Sequence, residues 1–164
     1  MSPVERLRLE QVGRIVMTTA VLEHLMAEVC AVAAGTGQEG ARRYLSVPGQ
    51  LSTGRHEAVE QLRETANARW ADEVTAWLDR CQEVRTVRHQ IVHSVHVIEH
   101  TLPPIDLTKP PEPATQDAVR GETWLYPRGG TELQLTDELV TRFMAKCGTA
   151  QVLGHELRQR LLSQ

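Results

Sequence analysis

Two arginines and four histidines are concentrated in residues 83–100, whose apolar residues otherwise have the spacing of a buried helix. Arg88 precedes His93 by five residues, so the two groups would stand roughly 7.5 Å apart along a helix axis. A guanidinium can neutralise a phosphate oxygen, and an imidazole can transfer a proton near neutral pH. Together they suffice for RNA cleavage without a metal ion, and Arg85 adds a second cation one turn earlier.

The helix that must position these groups is predicted to begin near Asn67 and to end before Pro103. Its apolar residues recur every three or four positions, which predicts a core-facing stripe. Arg88 falls within that stripe, where an apolar side chain is expected. The stripe consists of Trp70, Val74, Trp77, Cys81, Val84, Ile91, Val95 and Ile98. The histidines would form a second row beside it, made of His89, His93, His96 and His100.

Glu23 is the matching charge on the apolar face of a first long helix, predicted from about Val4 to Ala34. An unpaired carboxylate inside a core is too costly, so Glu23 must find a partner or lie at the edge of the stripe and reach water. A buried pair of Glu23 with Arg88 would satisfy both charges and orient the guanidinium. The alternative is an ion-pair network that only fixes the register of the two helices.

A row of histidines could also bind a metal ion. His89 and His93 are one turn apart, a spacing that suits zinc, nickel or copper. No cysteine or carboxylate of ligand spacing lies near them in the sequence, so we expect no structural metal and no cofactor. Adventitious binding at a dimer face is one alternative, and a solvated helix face is the simpler one.

The remaining helical patterns predict the all-α class, as a mostly helical bundle of four to five helices with one small β-hairpin before the last helix. A short helix is expected at 38–45. A second should start at Ser52 or Thr53 and run to about Thr65, and Thr136 should cap the last helix. Gly148 and Gly154 are expected to weaken that last helix.

Between the long arginine–histidine helix and the last helix, the sequence changes character. Residues 102–121 contain five prolines and predict a surface loop. Residues 122–126 and 131–135 flank Pro-Arg-Gly-Gly and predict the hairpin. The length of 164 residues suits one domain over 1–164 and is short for two.

Composition indicates a soluble cytoplasmic protein. The three cysteines lie in helical stripes, which favours free thiols in a reducing compartment. The most apolar segment, 15–34, contains Glu23, His24 and Glu28, which argues against a membrane span, and the start of the chain has no apolar run of the signal-peptide kind. The net charge is −3 and aromatic residues make up 4%, so any nucleic-acid site must be local.

The segment Arg88-His-Gln-Ile-Val-His93 matches the R-x4-H signature of the HEPN superfamily, the higher-eukaryote and prokaryote nucleotide-binding domains. The order of the predicted helices also resembles that family's four-to-five-helix bundle. The resemblance implies a metal-independent endoribonuclease, similar to HEPN toxins and host-defence effectors, with its site at a homodimer interface. It implies catalytic roles for Arg88 and His93, and for Glu23, and His89 is a further catalytic candidate. The residue after the arginine, usually small and polar in the family, is here His89.

The resemblance also implies partners. These are RNA or a nucleotide, a second copy of the chain that contacts the first through the histidine row, and, for a toxin, a protein antitoxin or regulatory partner. Arg85 and His96 are expected to assist in binding substrate, and no membrane is implied. Many members of the family are not catalytic, so a nucleotide- or protein-binding module is the alternative function. A plain helical dimerisation domain is a third.

Overall fold

The computed structural model describes residues 3–65, 68–101, 120–126 and 133–163. These residues form five helices, which are α1 (Pro3–Ala33), α2 (Gly37–Ser46), α3 (Gln50–Glu64), α4 (Ala68–His93) and α5 (Asp137–Leu162). They also form a small antiparallel sheet with the order β1-β2-β3, made of β1 (Val95–Thr101), β2 (Arg120–Tyr126) and β3 (Leu133–Gln134). The prediction of a mostly helical, all-α bundle with a hairpin before the last helix is confirmed.

Helix α1 is the central element, since it packs against each of the other four helices. Its inward side chains are aliphatic, and Ile15, Leu22 and Val29 are inaccessible to solvent. Among the described helices, only α1 is long and apolar enough by length and composition to cross a membrane, but half of its apolar stretch is buried inside the bundle. That burial is typical of the core helix of a helical domain.

Polar contacts at both ends of α1 show that α5 runs parallel to it. Near the start of both helices, Arg8 Nη1 lies 3.1 Å from Asp137 Oδ1. Near their ends, Arg158 Nε lies 3.5 Å from Glu28 Oε2. The hydrogen bonds from Gln11 and Arg8 lower the pKa of the Asp137 carboxyl, so this carboxylate is charged at neutral pH.

Trp77, in the middle of α4, joins α4 to α5. Its indole Nε1 donates a hydrogen bond of 2.8 Å to the Ala150 carbonyl, and the ring is 4% exposed. Gly154 lies against the ring, because a Cβ at that position would be 2.4 Å from Trp77 Cζ2 and 2.7 Å from Leu25 Cδ2. Gly154 is therefore a point of close packing among three helices, and the expectation that it merely weakens α5 was incomplete.

Two of the predicted helix starts have different outcomes. Helix α3 begins at Gln50 rather than at Ser52 or Thr53, with Gly49 before it at a φ of 91°. Glycine tolerates this left-handed conformation because it has no Cβ, so a glycine turn replaces the predicted hydroxyl cap. The Thr136 cap of α5 is confirmed, since Thr136 Oγ1 accepts a hydrogen bond of 3.1 Å from the backbone N–H of Leu139.

Helix α4 ends at His93, so the prediction of one helix continuing through His100 is wrong. The residues that follow include several β-branched side chains, which favour an extended backbone when a partner strand is present. Strand β2 supplies that partner over the whole length of β1, from Val95 opposite Tyr126 to Thr101 opposite Arg120. The predicted start at Asn67, most of the proline-rich loop and the turn of the hairpin lie outside the described residues.

All three cysteines are buried free thiols, as predicted. Burial raises the pKa of Cys30 and of Cys81 to about 12 and also raises the pKa of Cys147. Since the thiolate is the reactive form, these groups are inert at neutral pH and serve as small core side chains.

The two glycines in the interior of α5 should respond oppositely to alanine. At Gly148 an added Cβ meets nothing within 4 Å, so Gly148→Ala should stabilise the protein by about 0.5–1 kcal/mol through helix propensity. At Gly154 the Cβ overlaps the Trp77 ring, and overpacking of a core costs about 1–3 kcal/mol, which exceeds that gain. Urea unfolding followed by circular dichroism would measure both changes, and equal stabilisation by the two substitutions would contradict the packing described around Trp77.

Candidate functional site

The last turns of α4 carry three of the four catalytic candidates, which are Arg88, His89 and His93. The predicted stripe is confirmed on either side of the arginine, because Val84 is 4% exposed and Ile91 is 0% exposed. Arg88 itself is half-buried. It therefore begins on the core side of α4, as the spacing predicts, while part of the side chain reaches solvent.

Glu23 contacts Arg85 and not Arg88. Glu23 Oε1 accepts a hydrogen bond of 2.8 Å from Arg85 Nε, and about a third of each side chain is exposed. The predicted buried pair of Glu23 with Arg88 is therefore wrong in both partner and burial. The reading of Glu23 as a residue at the edge of its stripe is the correct one, because Glu23 is half-buried and reaches solvent.

A second acceptor, missed by the sequence analysis, also holds Arg85. Gln82 Oε1 accepts a hydrogen bond of 2.9 Å from Arg85 Nη1. The three-residue spacing on one helix was a signal for this contact, since residues i and i+3 are neighbours on a helix surface. Arg85 is thus fixed by an acceptor on α1 and one on α4, and Glu23 neutralises its charge.

Arg88 has no such anchoring within the described parts of the chain. No described carboxylate lies within 4.0 Å of its guanidinium, in contrast to Arg85 one turn earlier. An arginine fork has five N–H donors that fit the oxygens of a phosphate or carboxylate. The donors of Arg88 are therefore not committed to a described ion pair and can bind an anion that approaches from solvent.

His89 and His93 are both exposed and contact each other. Their ring centroids are 4.4 Å apart and the ring planes are tilted by 45°. The contact follows from their i, i+4 spacing on α4. His93 is also the last residue of that helix, so its imidazole lies on the surface where the chain leaves the bundle.

Ser94, next to His93, does not form a nucleophilic pair with it. The Ser94 hydroxyl donates a hydrogen bond to the carbonyl of Gln90, one turn back. Such back-bonding is common for serine at a helix end. The Ser94 hydroxyl is therefore engaged with the backbone and not with His93.

The other half of the predicted histidine row is on the sheet. His96 lies on β1 opposite Leu125, and His100 lies on the same strand opposite Gly121. The prediction that four histidines form one helical row is therefore wrong, because the backbone changes from helix to strand after His93. The side chain of His96, expected to bind substrate, lies outside the described side chains.

His89 and His93 do not belong to a larger set of metal ligands in the described part of the chain. No group of three or more histidine, cysteine, aspartate or glutamate side chains is placed there to hold a metal ion. Two imidazoles alone leave a tetrahedral metal without its other protein ligands. The end of α4 therefore combines an arginine that has no ion-pair partner among the described residues with two exposed imidazoles that contact each other.

Comparison with known proteins adds no relative, since no family model, no curated protein and no solved structure matches the chain. The resemblance to the HEPN superfamily accordingly rests on Arg88-His-Gln-Ile-Val-His93 and on the order of the helices.

The partner of Glu23 can be identified by double-mutant cycles. Because the pair with Arg85 is about one-third exposed, Glu23→Ala should cost about 1 kcal/mol or less, and not the roughly 3–5 kcal/mol of a broken buried pair. The coupling energy between Glu23→Ala and Arg85→Ala should be about 0.2–1 kcal/mol. Arg88→Ala is the control, with no coupling to Glu23→Ala. Thermal and urea unfolding provide the values, and coupling to Arg88 in place of Arg85 would contradict the geometry.

Proposed function

We propose that the protein is a metal-independent endoribonuclease of the HEPN type, with Arg88 and His93 at its centre. One observation carries the proposal. A half-buried arginine, with no ion-pair partner among the described residues, precedes by one and a half turns an exposed histidine at the end of the same helix. The proposed substrate is RNA, and the proposed site is the surface formed by the last turns of α4.

In the proposed reaction Arg88 binds the scissile phosphate. Attack on phosphorus places additional negative charge on the non-bridging oxygens, and a positioned guanidinium stabilises that charge more than it stabilises the ground state. Arg88 is half-buried on the same stripe of α4 as the buried Val84 and Ile91, so its stem begins near the core and its charged end reaches solvent. Only the charged end needs to reach the substrate.

His93 acts on the proton of the ribose 2′-hydroxyl. The 2′-oxygen attacks the adjacent phosphorus as its proton passes to the imidazole, and the bond from phosphorus to the 5′-oxygen breaks. The departing 5′-oxygen receives a proton from a second imidazole, for which His89 in the same chain or His93 of a second copy is the proposed source. The products are a 2′,3′-cyclic phosphate and a 5′-hydroxyl.

Glu23 and Arg85 take supporting roles in this proposal. Glu23 is bound to Arg85, so we assign it to positioning and not to proton transfer. Arg85 keeps donors beyond those used by Glu23 and Gln82, and these can contact a neighbouring phosphate. Because Glu23 offsets its charge, Arg85 should contribute less to RNA binding than Arg88.

A homodimer is proposed because one copy supplies only one arginine and one histidine of the motif. A two-fold axis would bring two of each to a shared cleft. Helix α1, which carries Glu23, also exposes apolar side chains that a second copy could cover. Met17 and Val21, four residues apart on one face of α1, are 68% and 54% exposed, and Leu9, about 80° round the helix from Met17, is 62% exposed.

The alternative function is a non-catalytic HEPN-like module that binds a nucleotide or a protein. The observation that favours it is the charge balance, since the chain carries a net charge of −3 and Glu23 neutralises one of the two arginines near the motif. Such a surface retains one free guanidinium, enough for a single phosphate or carboxylate. A protein antitoxin or regulatory partner would suit either function, and the inert buried thiols suit a reducing cytoplasm.

Cleavage of mixed RNA in the presence of a chelator tests the enzymatic proposal. His93→Ala and Arg88→Ala should each reduce the rate about 10²–10⁴-fold, because proton transfer and charge stabilisation contribute effects of that size. His155→Ala and Arg80→Ala are matched controls on exposed residues of α5 and α4 and should leave the rate unchanged. Added zinc should inhibit by bridging His89 and His93.

The outcomes of this experiment separate the two functions. Activity that disappears in chelator and returns with magnesium would contradict the arginine–histidine mechanism. Equal inertness of the wild type and of His93→Ala would favour the binding module. Product analysis adds a direct check, since the mechanism requires 2′,3′-cyclic phosphate ends and 5′-hydroxyl ends.

The dimer can be tested by placing a charge on the exposed apolar face of α1. Met17→Glu should convert the dimer to a monomer, because an interface that covers this face would bury an unpaired carboxylate. Val152→Glu is the matched control, since Val152 is 58% exposed on α5. Size-exclusion chromatography with light scattering at micromolar concentration gives the masses. A wild type that is strictly monomeric would count against the shared cleft.

A further inference from the structure

A cleft opens where the end of α1, the start of α2 and the end of α5 meet, and its volume is about 350 Å³. His24 and Glu28 of α1 line it, whereas Glu23, the neighbour of His24, contacts Arg85 on α4. The cleft is therefore separate from the surface proposed for RNA cleavage. Its volume lies at the lower end of the roughly 300–1,000 Å³ that ligand pockets span.

The polar side of the cleft has more positive than negative charge. Arg42 and Arg158 both line it, and Glu28 is the single carboxylate among its lining residues. Glu28 is shared, because its Oε2 lies 3.5 Å from Arg158 Nε and its Oε1 lies 3.7 Å from His24 Nε2. Two guanidiniums facing one carboxylate leave a net positive charge, which favours an anionic ligand.

Both guanidiniums retain N–H donors that have no hydrogen-bond acceptor among the described residues. Arg158 Nε is buried and has no hydrogen-bond partner there, despite its proximity to Glu28. Arg42 is exposed, and no described carboxylate lies within 4.0 Å of it. An ion pair that only joined α1 to α5 would account for Arg158 and Glu28. It would not account for Arg42, which belongs to α2.

The lining of the cleft also includes apolar side chains. Leu45 of α2 and Leu162 of α5 are 42% and 54% exposed, and Val32 of α1 is half-buried. Exposed leucines in a cleft lined by two arginines and one carboxylate offer both an apolar surface and a net positive charge, which an amphipathic anion matches. Covering them would remove apolar surface from water.

We propose that this cleft binds a small amphipathic organic anion. The anionic group, a carboxylate or a phosphate monoester, lies between Arg42 and Arg158, and the apolar body covers Leu45 and Leu162. The site is independent of the ribonuclease proposal, since none of its residues belongs to the motif on α4.

Nuclear magnetic resonance titration of ¹⁵N-labelled full-length protein tests the site. The probes are octanoate, octyl phosphate and the neutral 1-octanol. Octanoate, octyl phosphate or both should cause saturable shifts in the amide signals of residues 37–42 and 158–162, with a dissociation constant below about 1 mM. The tighter of the two identifies the head group, and 1-octanol should cause no saturable shift.

Matched variants make the test specific. Arg42→Gln should weaken binding about tenfold or more, as the loss of a charge-assisted contact predicts. Arg63→Gln changes an exposed arginine of α3 outside the cleft and should bind like the wild type. His93→Ala should also bind like the wild type, whatever its effect on RNA. Equal binding by 1-octanol, equal binding by Arg42→Gln, or no saturable shift with either anion would overturn the proposal.

Discussion

The structure depends on the burial of α1, whose apolar residues cover too wide an arc for any one neighbour to remove from water. Four helices pack around it, and its innermost side chains, among them Ile15 and Leu22, lose all contact with solvent. This requirement sets the directions of the other helices, with α5 parallel to α1 and Trp77 joining α4 to both through the space left by Gly154. The positions of charged groups follow from this packing.

Both candidate sites lie at the edges of that core, where a charged side chain can bury its stem and keep its head in solvent. On the α4 side the relevant residues are Arg85 and Arg88, and on the α5 side they are Arg158 and Glu28. Arg85 and Arg88 differ in their partners. Glu23 forms an ion pair with Arg85, and no described carboxylate forms one with Arg88. One arginine thus joins α1 to α4, and the other is available to a ligand.

The sequence predicted those features that depend on local patterns, namely the helical bundle, the buried stripe around Arg88 and the cap at Thr136. It failed where distant segments decide the outcome. Apolar spacing alone predicts a helix through His100, whereas the pairing of β1 with β2, a contact across the intervening segment, makes those residues a strand. The odd charges on two stripes likewise predict a pair of Glu23 with Arg88. The rotation of α1 relative to α4, which selects Arg85, is not encoded in either stripe alone.

The unpaired state of Arg88 bears on the choice between a structural and a functional role. Position 88 lies on the buried stripe of α4 that includes Val84 and Ile91, and leucine or methionine would suit a half-buried position there without the cost of partly burying a guanidinium. An arginine that fixes the register of two helices needs a carboxylate partner, and among the described residues that carboxylate, Glu23, contacts Arg85. What distinguishes arginine from an apolar residue at position 88 is therefore a set of donors that no described carboxylate uses. The proposed function assigns those donors to an RNA phosphate beside His93, and RNA also offers a hydroxyl for the imidazole to deprotonate.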